Sequence, residues 1–169
     1  QAAKDLNVKV TFEGPETEAM VDKQIDMLSA ALAKKPSAIG FAALDSKAAI
    51  PLLKKAQAAK IPVILTDRNI ETKDPSLYVT MIGSDFAEEG QKAAQWLLDN
   101  YKKPGDVNIV ELQGTVGSAP AIDRKKGFEE VIKSDPRFKI TRSQTGDFTR
   151  AKGKEVMEAF LKTDKNIQV

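Results

Sequence analysis

Asp67 and Arg68 stand together after the apolar run 61–66, Arg124 opens the helical segment after the run 107–112, and Phe148 follows the β-rich run 138–143. These side-chain types suit a neutral polyol. A guanidinium offers a planar fork of donors to neighbouring hydroxyls, a carboxylate accepts from them, and an aromatic ring covers the apolar C–H face of a sugar. That chemistry is binding without bond breaking. Taken singly, each residue has a commoner structural use: the arginines as solvated surface groups, Asp67 as a turn former, Phe148 as a core filler. Their shared position beyond the carboxyl ends of strands is what gives them a collective meaning, because ligands of open α/β sheets collect there.

Catalysis is poorly served by comparison. With no Cys and no His in the sequence, thiol nucleophiles, histidine triads and the usual zinc sites are excluded. An enzyme acting on a sugar or phosphosugar would need Asp67, Glu111 or Asp123 as acid or base, and no spaced pair in a pKa-shifting setting supports that role. The pairs Glu88-Glu89 and Glu129-Glu130 fall on expected solvent faces. The loop Gly114-Thr115-Val116-Gly117-Ser118 lacks the Gly-Lys-Ser/Thr ending of a phosphate cradle, so its small residues point to a tight turn or a close backbone approach. Neither a metal nor a cofactor is expected.

The elements that must position these residues alternate between short β-rich runs and longer segments with apolar residues every three or four positions, the pattern of βαβ units. Strands are predicted at 8–12, 38–44, 61–66, 77–82, 107–112 and 138–143, with another beginning at 166–169. Helices are predicted over 16–34, from an Asp45 N-cap to about Ala59, and over 85–101. Two more carry Ile122, Phe128, Val131 and Ile132, and, behind an Asp147 or Thr149 cap, Val156, Met157, Phe160 and Leu161. Pro51 is tolerable in a first turn. Trp96 reads as packing. The class is α/β with mainly parallel sheets. Residues 1–6 read as the end of a helix, and the chain is expected to be truncated at both ends, leaving strand edges able to associate with other chains.

Among 169 residues, 26 Lys and Arg oppose 24 Asp and Glu, a net charge of +2 that is too small for a nucleic-acid partner held by counterion release. Basic pairs such as Lys34-Lys35 read as solvated helix ends. Apolar residues at 41% and charged residues at 30% indicate a packed fold. No apolar run approaches the ~20 residues of a membrane span.

Three segments carry a family resemblance: PVILTDR (62–68), ELQGTVGSAPAIDRKKGF (111–128) and SQTGDFTRAKGKEVM (143–157). Together they resemble the ribose/galactofuranose branch of the periplasmic sugar-binding proteins, with the last two most like the galactofuranose type and residues 10–65 like the wider ribose group. The resemblance implies two Rossmann-like lobes with parallel sheets, a first lobe at 1–84 and a second at 85–169, both incomplete. Composition alone places the boundary at 102–105 instead. It also implies a monosaccharide ligand, an ATP-driven ABC permease as membrane partner, and a periplasmic or extracytoplasmic location, free or lipid-anchored. Asp67 and Arg68 then correspond to the sugar-binding Asp-Arg pair of the first lobe, Arg124 to the Arg of the second, and Phe148 to an aromatic wall. Phe86 departs from an Asn common in the family, which is expected to affect local capping or hydrogen bonding at that crossover and not the sugar site. The chain by itself is expected to bind sugar weakly or not at all, because the clamp needs both lobes and a full hinge. The rival architecture is the effector-binding core of a sugar-responsive, LacI-type transcriptional repressor.

Overall fold

A computed structural model describes residues 1–169. Helix α1 (Ala2–Asp5) is followed by α2 (Val21–Ala33), β1 (Ile39–Phe41), α3 (Ile50–Ala58) and β2 (Val63–Thr66). After a 3-10 turn at Pro75–Leu77 come β3 (Thr80–Ile82), α4 (Phe86–Asn100), β4 (Val107–Gln113), α5 (Ala119–Ile132), β5 (Phe138–Thr145) and α6 (Arg150–Thr163). The strands form two parallel sheets, one ordered β1-β2-β3 and one β4-β5. Parallel pairing requires a crossover connection, which α3 supplies between β1 and β2 and α5 between β4 and β5, while the segment with the 3-10 turn joins β2 to β3.

Each sheet has its own hydrophobic cluster. The first gathers Leu53, Val63 and Leu65, all nearly inaccessible, with Leu28 from α2 and Ile39 and Phe41 from β1. The second joins Ala94 and Leu97 of α4 to Val107, Ile109, Ile132 and Phe138. Burial of β1 and β2 under helices is the reason the runs 38–44 and 61–66 read as continuous rather than alternating.

Local chemistry sets the helix starts. Asp85 caps α4, its Oδ1 accepting from the Glu88 amide at 3.0 Å, and Glu88 and Glu89 add favourable charge in the first turn. Thr149 caps α6 by accepting from the Lys152 amide at 3.2 Å.

Several expectations are corrected. Residues 8–12 form no strand: no strand runs alongside to take their ladder bonds, and Val10 and Phe12 are 68% and 96% exposed. Alternation supplies a buried face only where a neighbouring strand exists. Asp45 caps a turn and not a helix, accepting from the Lys47 and Ala48 amides at 2.8 Å each, and α3 starts at Ile50. Helix α2 starts at Val21 because residues 17–20 turn instead, closed by the Met20 amide on the Thr17 carbonyl. Trp96 is 66% exposed, since at 100° per residue it projects well away from the face carrying Ala94 and Leu97. Residues 166–169 do not form a strand element, yet they lie along β4: the Gln168 amide donates to the Asn108 carbonyl at 3.0 Å and the Val110 amide to the Val169 carbonyl at 2.9 Å.

Candidate functional site

The end of β2 delivers Asp67 and Arg68. Asp67 adopts a left-handed conformation (φ 62°), which Asp tolerates better than most residues, and its amide is held by the Ile82 carbonyl at 2.8 Å. This turn swings Arg68 inward, leaving its side chain 11% exposed. Arg68 Nη2 donates to Glu18 Oε1 at 2.7 Å, and its Nε lies 3.5 Å from Asp67 Oδ2. The remaining nitrogen, Nη1, is buried with no hydrogen-bond partner. A buried charged donor without an acceptor is costly and calls for explanation.

Phe148 approaches from the other sheet. The Arg68 guanidinium carbon sits 5.8 Å from the centre of its ring, within cation–π range. Asp147 and Phe148 both have positive φ, 51° and 52°, an unfavourable conformation for a bulky residue. A local network holds it: Thr145 Oγ1 donates to Asp147 Oδ1 at 2.7 Å and the Thr149 amide donates to the Gly146 carbonyl at 2.9 Å. Strain of this kind persists where surroundings enforce it, commonly at ligand sites. Gly114 completes the seat, because a Cβ there would fall 2.0 Å from Phe148 Cζ. Gly117 (φ 85°) similarly leaves room for the Asp45 carboxylate, and its carbonyl accepts from the Ser46 amide at 3.0 Å. The small-residue loop thus serves close approach, as its composition suggests.

Arg124 projects from α5 into different company. Its Nε donates to Glu89 Oε2 at 2.8 Å, and its guanidinium carbon lies 4.5 Å from the centre of the Phe86 ring. Helices α4 and α5 make this possible by touching backbone to backbone at Gly90 and Gly127. Phe86 thus packs its ring against Arg124, while Asp85 supplies the side-chain cap of α4.

Arg124 and Phe148 line one hollow of about 470 Å³, together with Glu111, Gly114 and Phe128. That volume lies in the ~300–1,000 Å³ range of small-molecule sites. Asp67 and Arg68 do not line it. Arg68 meets Phe148 from the opposite sheet instead, so that ring is shared by the hollow and by the Arg68 contact.

The acids considered for catalysis are otherwise engaged or isolated. Glu111 Oε2 accepts from Lys125 Nζ at 2.6 Å and from the Ser143 hydroxyl. Burial alone would lower the Lys125 pKa, but its bonds to Glu111 and Glu129 outweigh that and raise it, leaving an ammonium and no free base. Burial pushes the Asp123 carboxyl up, against the pull of Lys126.

Motif reading missed four contributors: Glu18, Thr115, Phe86 and Glu89. Glu18 is the least legible, lying in a polar turn outside the three motifs. Its two oxygens span the sheets, Oε1 on Arg68 and Oε2 accepting from Thr115 Oγ1 at 3.0 Å. No helix is long and apolar enough to cross a membrane.

Known proteins are similar to this chain in sequence and in overall fold. The chain is 46% identical over 158 residues to the galactofuranose-binding protein YtfQ of Escherichia coli, covering 93% of this chain and 49% of that protein. A Mycobacterium smegmatis structure in complex with β-D-fucofuranose superposes with a TM-score of 0.89 at 45% identity, over 99% of this chain and 55% of the other. The periplasmic binding component of the arabinose ABC transporter from Shewanella, bound to L-arabinofuranose, gives 0.83 at 46% identity, over 96% and 53%. The chain spans about half the length of the curated relatives it matches. The family described as periplasmic binding protein domain matches residues 1–169. With its two parallel sheets flanked by helices, and with these relatives, the chain belongs to the periplasmic binding protein family.

Proposed function

We propose that this chain supplies facing surfaces of a monosaccharide clamp, as part of the solute-binding component of a sugar ABC importer. Residues 1–84 and 85–169 act as the contributions to two lobes, a division supported by α4 sharing its hydrophobic cluster with β4 and β5. The observation that carries the reading is Arg68 Nη1, a buried cationic donor without an acceptor, set beside an aromatic ring held in strained backbone. A sugar hydroxyl supplies the acceptor and its C–H face covers the ring. Arg124, fixed by Glu89 and Phe86, contributes the second guanidinium from the hollow that Phe148 also lines, and Asp67 accepts from a neighbouring hydroxyl.

Three similar proteins are named for, or bound to, galactofuranose, fucofuranose and arabinofuranose, which favours a neutral sugar in its five-membered ring form. The functional partner is then a membrane permease, the location periplasmic or extracytoplasmic, and the chemistry non-enzymatic. Relatives such as the galactofuranose-binding protein and the ribose import binding proteins carry names of binding and import proteins, which favours capture over the repressor reading.

Calorimetric or NMR titration of the chain with galactose, arabinose and ribose tests this. The expected affinity is about millimolar, some 4 kcal/mol, because half of the relatives' length is not part of this chain. Arg68→Ala and Phe148→Ala should abolish it. Binding that survives both substitutions would overturn the assignment.

A further inference from the structure

Both arginines of the candidate site already hold a carboxylate. Arg124 takes Glu89 on the half-exposed rim, but Arg68 is nearly buried and has two, Glu18 at 2.7 Å and Asp67 at 3.5 Å. Around Arg68 the local charge is therefore balanced toward the negative. Glu18 is also the residue that crosses the gap, touching Arg68 with one oxygen and the Thr115 hydroxyl with the other. It arrives from the turn before α2, in a segment where no core packing requires an acid.

We propose that Glu18 is a specificity-determining residue that makes the site select uncharged sugars and reject sugar acids. This rests on the sugar-clamp reading above and adds to it the class of ligand refused. A lone buried guanidinium is a natural anchor for a carboxylate, since planar bidentate pairing is its strongest interaction. A uronate entering beside Phe148 would have to displace Glu18 from Arg68 and leave two carboxylates, Glu18 and Asp67, beside its own. A neutral polyol faces no such conflict. Its hydroxyl meets the unpartnered Nη1 once the ligand's entry uncovers that buried atom, and the Arg68–Glu18 pair stays intact. Discrimination of this kind comes from a repulsive element built against the wrong ligand.

The roles of charge and position separate cleanly. Glu18→Gln keeps the shape and the reach to Thr115 but removes the charge, whereas Thr115→Val removes the hydrogen bond and keeps the charge. Glu18 is partly exposed and lies in a turn, so the substitutions leave the cores untouched, and Glu18→Ala provides a second neutral variant.

The experiment is a ¹H–¹⁵N NMR titration of the 169-residue chain and these variants with D-galactose and D-galacturonate. Glu18→Gln and Glu18→Ala should gain about tenfold in galacturonate affinity, while Thr115→Val should not. Galactose affinity should change far less, so that the ratio of the two sugars shifts. An unchanged ratio in both neutral variants, or an equal gain for both sugars, would overturn the proposal. If the unsubstituted chain ignores galactose but the neutral variants take up galacturonate, the role of Glu18 stands and the neutral-sugar reading falls.

Discussion

Replacing Gly127 with Ala should destabilise the protein, although helix propensity alone says the opposite. In an open helix the change gains about 1 kcal/mol by reducing the flexibility of the unfolded chain and supplying a better helix former. Here the added Cβ would lie 2.1 Å from the Ala87 carbonyl oxygen, and opening that gap to the 3.4 Å of ordinary contact moves one helix by about 1.3 Å. Both obstructing partners are backbone, so no side chain can rotate away. Overpacking of well-packed cores costs about 1–3 kcal/mol, and a rigid main-chain collision belongs at the upper end. The net loss is then about 2 kcal/mol, a fall in Tm of about 4–8 °C for a protein of this size. Gly90→Ala, whose Cβ would meet the Arg124 carbonyl oxygen at 2.1 Å, should behave alike. Separation of α4 from α5 also draws Arg124 away from Glu89 and Phe86, so sugar affinity should fall with stability. Circular-dichroism melts and urea titrations of both variants decide the matter. A Tm equal to or above that of the unsubstituted chain would refute the close backbone contact.

Two further outcomes follow from burial. Leu65→Ala empties the centre of β2, where the side chain is inaccessible, and should cost about 2–5 kcal/mol in urea unfolding with an unchanged dependence on denaturant. Asp123 has a carboxyl pKa raised by burial, with Lys126 opposing and Asp85 and Glu71 adding to the rise. Its neutral form is the one the fold prefers, so its stability contribution is best below the ordinary Asp value of 3.8 and is lost as pH rises through the higher folded value. Asp123→Asn should therefore raise the Tm at pH 7, with the gain shrinking in melts below pH 3.8.

What could be read from residues divides along physical lines. Helices α4 and α6 are legible because cap, periodicity and stop signals agree, β2 because a continuous apolar run leaves little choice, and β4 and β5 because their apolar residues alternate with polar ones between turn residues. Residues 8–12 show the limit: alternation describes what a strand would bury, while its existence depends on a neighbour that sequence pattern does not supply. Asp45 illustrates another, since the same carboxylate that caps a helix also closes a turn, and only the following backbone distinguishes them. In the candidate site, Asp67, Arg68, Arg124 and Phe148 are noticed because they follow strands or carry a family motif. Glu18 has no such mark. Its importance comes from a contact to Arg68, fifty residues away in sequence, and to Thr115 in the other half. Phe86 was read for what it is not, an Asn, when its ring supports Arg124.

The central claim, that side chains from both sheets surround one small polyol, is tested most directly by mapping where D-galactose perturbs the ¹H–¹⁵N spectrum of the assigned chain. Shifts should appear together at the Nε–H groups of Arg68 and Arg124 and at the amides of Asp67, Thr115 and Phe148. Perturbations confined to one sheet's residues, or scattered away from Phe148, would contradict it.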